Sequence, residues 1–425
     1  MATTTEEAKV MRRQILMFLA LALVAGPLLA AAVAGAAEYE VPQNRSAKDI
    51  LPVGMLKGQQ YRVRDLVVGD GYMDRWTVES DFGPFEVVGD GALRKLLGEI
   101  RAIAELQKVS KSKEFAKGLA GAAKAPLNLA KSLITHPVDT VSGVPKGMYQ
   151  LVEDVGTSAT TTRDPSEDAK WQQALKMSSF KREIAAQLGV DAYSSNKVLQ
   201  KNLNSVAWAA TAGDWAFSAA MLPAGVGGSV VSNMRLTNSI KNVLQQEPPA
   251  RLRQINNEKF EKMGIPEDLR KRYLDHPAFT PRHDTIIAAN LELLGGVTGR
   301  DAFLNVAVTA EDEEGANIYM AMAQMLGGYH ETVARLTGIS VVGRFTVAQT
   351  QAGHALIALP LDRLIWTQRA DQVSNQLKTT HKAPGFNGKF DLWATGTLSS
   401  PARQQLELRG FKLTENAGQR VGILE

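Results

Sequence analysis

The sequence predicts a mainly α protein, with a helical central region, a small N-terminal β element and a C-terminal α+β unit. Three observations carry this. Apolar residues recur at helical spacing through most of 92–336. Asp-Gly turns between apolar runs mark a β unit at 58–91. Runs rich in Val, Ile and Leu return after Gly338. The 425 residues are 44% hydrophobic and 22% charged, which suits two or three globular domains and excludes a disordered or polytopic chain.

The elements follow in order. Residues 1–14 are polar and carry Arg12-Arg13, residues 15–33 are uncharged, and Ala34-Gly35-Ala36-Ala37 follows. This positive, apolar, small-residue order predicts a secretory signal peptide over 1–37, cut near Ala37. Two alternatives stay open: an uncleaved anchor, since nineteen apolar residues can just span a bilayer, and a twin-arginine export route. Either signal route predicts a periplasmic or secreted protein.

In the β unit, Val-Val-Gly-Asp-Gly occurs at 67–71 and again at 87–91. The spacing reads as turns, because no further carboxylates follow at calcium-ligand intervals. From Ala92 to about Lys117 the leucines and isoleucines take helical spacing. This β unit and a basic helical segment fill 38–155. A stretch without large apolar residues marks a linker at 156–168.

Residues 169–337 read as a helical domain. Glu247-Pro248-Pro249 separates two helices, and Pro266 with Glu267 and Asp268 opens another. In 338–425, Ser340–Ala348 and His354–Leu361 predict strands, and Asp362–Thr379 a helix. Phe390–Leu398 predicts a further strand. Ser399 or Ser400 then caps a short helix started by Pro401 and stopped by Gly410, before a closing strand at Phe411–Leu413.

Charge and motifs exclude much. Lys and Arg number 48 against 44 Asp and Glu, too balanced for a nucleic-acid partner. Absent cysteine removes disulfides, thiolate zinc sites, iron–sulfur clusters and cysteine nucleophiles. There is no phosphate loop, His-Glu-x-x-His or nucleophile elbow. Ser194–Lys197 has Ser-x-x-Lys spacing without a Lys-Thr-Gly, so a helix start at Ser194 or Ser195 accounts for it.

Two candidate sites remain. Between Arg101 and Lys131 the chain carries a net charge of +5. In a continuous helix Lys117, Lys124 and Lys131 would share one face, with Lys113 beside them. Such a face fits an anionic membrane surface or an envelope protein. Asp275, His276, His283 and Asp284 offer two imidazoles and two carboxylates within ten residues, a possible metal site, although turn and cap chemistry also explains them. The sequence names no cofactor and leaves open whether the chain is an enzyme. The expectation is an exported envelope protein that binds a partner without catalysis. The alternative is a hydrolase or metal-dependent enzyme built around His276 and His283.

Overall fold

The computed structural model describes residues 39–113, 115–116, 178–212 and 235–423. The leader, Lys117, Lys124, Lys131 and the 156–168 linker lie outside the described residues.

The N-terminal sheet is antiparallel. Short β1 (Arg45–Ser46) pairs with β3 (Leu66–Gly69). One edge of β4 (Asp74–Ser80) is shared by β3 and β2 (Tyr61–Val63), and β5 (Gly83–Val88) takes the other. The registers of β2 and β3 on β4 differ by two residues, so β2–β3 is one bent strand, kinked at Arg64-Asp65. A short helix α1 (Val53–Leu56) precedes it. Alternation on β4 sends Trp76 and Val78 inward, where Leu93, Leu96, Leu97 and Ile100 of α2 (Asp90–Ser110) cover them. The opposite face of α2 carries Ala102, Ile103 and Leu106 and packs against α3 (178–188) and α4 (Lys197–Ala212).

Among the described residues six helices follow: α5 (Arg235–Gln246), α6 (Pro249–Lys262), α7 (Glu267–Leu274), α8 (Pro281–Leu293), α9 (Arg300–Ala307) and α10 (Glu313–Thr332). Their starts obey local chemistry. Pro249 and Pro281 occupy first turns, and Asp312 caps α10 through the Gly315 amide.

The C-terminal sheet runs β12-β10-β8-β7-β6. Strands β6 (Leu336–Val342), β7 (Phe345–Thr350) and β8 (Ala355–Leu359) form an antiparallel meander. Strands β10 (Phe390–Ala394) and β12 (Phe411–Thr414) add in parallel, after crossovers through α11 (Gln368–Thr380) and α12 (Ser400–Leu408). Strands β9 (Arg363–Leu364) and β11 (Thr397–Leu398) pair separately, and α13 (Gly418–Val421) closes the described chain. Ile287, Leu291 and Leu326 of the helices share one core with Leu336, Leu356 and Trp393 of the sheet.

The mainly α expectation is overturned. Two five-stranded sheets make this an α+β fold. The strands are short, and one expected strand, Ser340–Ala348, straddles the β6–β7 turn, where Gly343 takes φ 62°. Among the described residues no helix is long and apolar enough to cross a membrane.

Candidate functional site

A cleft of about 1350 Å³ opens between the N-terminal sheet, the starts of α2, α4, α8 and α10, and the C-terminal sheet. It lies at the carboxyl ends of the parallel strands. Asp362 follows β8, Thr395 and Gly396 follow β10, and Asn416 follows β12. Crevices outside the carboxyl ends of parallel strands are where such sheets bind ligands.

Three carboxylates meet in this cleft. Asp74 opens β4 on the inward face of Trp76, Asp90 is the first residue of α2, and Asp362 leaves β8. Their oxygens lie within 4.8 Å of one another. Asp362 accepts from the Asp74 amide at 2.8 Å and the Asp90 amide at 3.0 Å, while its own amide donates to Tyr72 O at 2.9 Å. The Trp76 indole donates to Asp90 at 3.1 Å, and Arg45 pairs with Asp74. Gly396 permits the close approach of the β10–β11 turn, since a Cβ there would stand 2.0 Å from Asp362 O.

Burial and the Asp90 charge push the Asp362 carboxyl up to about 7, and burial with Asp74 raises Asp90. Arg45 and Arg94 act on the group, so with all three carboxylates ionised the two guanidiniums would leave one negative charge over, and it is this excess that the raised Asp362 carboxyl reflects. A proton, an ammonium ion or a hard metal cation could balance it; all-oxygen donors suit magnesium or calcium.

A second corner of the cleft is built by Lys95, Ser195, His283, Glu313 and Asn317. Lys95 reaches Glu313 at 3.5 Å, and the Ser195 hydroxyl donates to Glu313. Beside it, buried Glu99 accepts from Ser194 Oγ at 2.6 Å and Asn196 Nδ2 at 2.9 Å, and burial raises its pKa. Ser194 is therefore engaged by a carboxylate and not by Lys197. The cap of α4 is Asn196, whose Oδ1 accepts from the Val198 and Leu199 amides, and not Ser194 or Ser195.

The four residues grouped as a possible metal site point apart. Asp275 is exposed and pairs with Arg253 at 2.6 Å. His276 Nδ1 accepts from the Ala278 amide at 3.3 Å within a turn. His283 completes the capping box of α8 with Thr280. Asp284 turns into the core toward Tyr273. Among the described residues, the group of three whose ligand atoms converge is Asp74, Asp90 and Asp362. Lys113 is exposed.

Sequence reading singles out Asp90 only as a turn residue and passes over Asp74 and Asp362. The first sits in the second Val-Val-Gly-Asp-Gly, but its partner Asp362 is 272 residues away, and no local spacing reports that. Of the repeated pair, Asp70 does serve a turn, with Oδ1 accepting from the Tyr72 and Met73 amides. No known protein family, curated protein or solved structure matches this chain.

Proposed function

We propose that this is an exported envelope protein that binds a short peptide with free termini in the central cleft. The observation that carries this is the convergence of Asp74, Asp90 and Asp362, three carboxylates beside two arginines, inside a cleft at the carboxyl ends of parallel strands. Two arginines already stand beside three carboxylates, so a singly charged ammonium balances the group better than a divalent ion. Lys95 follows Asp90 by five residues on α2, about 7.5 Å along the helix axis. A cation at that distance suits the far carboxylate of a peptide two or three residues long, at about 3.4 Å per extended residue.

Calorimetric titration of the purified protein with trialanine and with N-acetyl-trialanine tests this reading. Loss of the ammonium should weaken binding about tenfold or more, the size of a charge-assisted hydrogen bond. Absence of trialanine binding, or equal binding of the acetylated peptide, would overturn it. Export is tested by intact mass. A mass of residues 38–425 supports it, and a full-length chain extracted only by detergent makes residues 15–33 an anchor.

A second reading has its own support. Asp362, poised near neutrality beside Asp90, has the pairing of a carboxyl general acid with a carboxylate base, which suits peptide hydrolysis. Release of alanine from trialanine, abolished by Asp362→Asn, would establish it. An intact peptide after prolonged incubation would exclude it for this substrate.

A further inference from the structure

We infer that Asn317 reads the carboxylate end of the bound peptide, with its carboxamide held in register by His283. The chain of hydrogen bonds fixes each atom in turn. The Thr280 backbone N–H can only donate, and it points at His283 Nδ1 at 3.1 Å. Nδ1 is therefore the bare nitrogen, and the proton of the neutral ring sits on Nε2. Burial lowers the His283 pKa, which favours the neutral ring. Nε2–H then donates to Asn317 at 3.0 Å, so the atom it meets must be Oδ1. The Asn317 Nδ2 group is left facing away from the histidine. Among the described residues it donates to no protein group, and it is not sealed in the core.

Its surroundings say which acceptor it would meet. Asn317 lines the cleft one helical turn beyond Glu313, with Lys95 and Arg282 near the same imidazole. At the His283 ring the effect of Lys95 and Arg282 outweighs that of Glu313, so the field beside Asn317 is positive, opposite in sign to the aspartate group. An oriented amide donor beside a positive excess selects a carboxylate over a neutral carbonyl. Asn317 is thus the specificity residue for the peptide C-terminus, and His283 its positioning residue.

This rests on the peptide reading of the cleft, and the experiment separates the two. Trialanine and trialanine amide are titrated into the wild-type protein, Asn317→Asp and His283→Phe. Wild type should prefer the free carboxylate by about tenfold. Asn317→Asp repels a carboxylate and accepts from a carboxamide, so its preference should reverse, an outcome that general damage to the cleft does not produce. His283→Phe keeps a ring but lacks Nε2–H, so the amide can turn over and the preference should shrink. Wild type that treats both peptides alike, or Asn317→Asp that keeps the wild-type preference, overturns the assignment of Asn317 while trialanine binding stands. Wild type that binds neither peptide overturns the cleft reading and this assignment together.

Discussion

Asp284 is a carboxyl placed where ionisation is costly. It projects from α8 among apolar side chains, and neither its Oδ1 nor the Tyr273 hydroxyl makes a hydrogen bond of ordinary geometry. Burial pushes its pKa up to about 8, from an ordinary value of 3.8. The folded chain therefore keeps a proton that the unfolded chain releases above pH 4. Stability is lost as pH rises from about 4 to about 8, because the unfolded state binds fewer protons across that window. Asp284→Asn removes the ionisation, so its advantage over wild type should be absent near pH 4 and widest at pH 8. Urea unfolding at several pH values measures this, and parallel curves for the two proteins would refute the buried, neutral carboxyl. Sequence proximity sets Asp284 beside His283, but neighbours on a helix diverge by about 100°. One ring therefore reaches the cleft while the next side chain enters the core. That divergence is why a cluster legible along the chain is not a cluster in space.

At the scale of elements, what a few adjacent residues decide was legible and what distant pairing decides was not. Ser399 caps α12 through the Ala402 amide at 3.1 Å, Pro401 sits in its first turn, and Gly410 ends it at φ 83°. All three are written within twelve residues. The parallel register of β10 on β8 and β12 is written nowhere locally, and neither is the two-residue register shift between β2 and β3 on β4. The turn between β10 and β11 shows how such pairing reaches the site. Gly396 packs on the backbone of Asp362, and the Thr397 amide donates to Asp362 O at 3.0 Å. Gly396→Ala should force the two loops apart, costing more than about 1 kcal/mol, in the range of overpacked sites. The same change should weaken trialanine binding, since the carboxylate of Asp362 moves with its backbone. Normal stability in denaturant, with normal binding by calorimetry, would show that the two loops do not constrain each other.

For the whole molecule, the consequential feature is that the cores interlock. Ile287 and Leu291 of α8 and Leu326 of α10 share a cluster with Leu336, Leu356 and Trp393 of the C-terminal sheet, across the 337/338 division expected from composition. The Thr298 carbonyl accepts from the Ile339 amide at 2.8 Å, extending the sheet edge with a loop from the helices. At the other end, the Glu40 carboxylate accepts from the Trp366 amide at 2.6 Å and from Ser399 Oγ, and the Tyr39 hydroxyl donates to Asp371 at 2.8 Å. The first described residues thus lie on the last third of the chain. A fragment of residues 338–425 would expose the face that Ile339, Leu356 and Trp393 bury against helices, at about 25 cal/mol per Å² of apolar area. It would also lose the contacts of Tyr39 and Glu40. Stabilities of whole domains are only about 5–15 kcal/mol, so a loss of this kind leaves no folded state of comparable population. Expressed alone, that fragment should unfold without a cooperative transition by circular dichroism, while the intact chain melts as one unit. A sharp, independent transition for the fragment would mean that the C-terminal sheet is its own folding unit. The cleft at its strand ends would then be an interface between separable bodies.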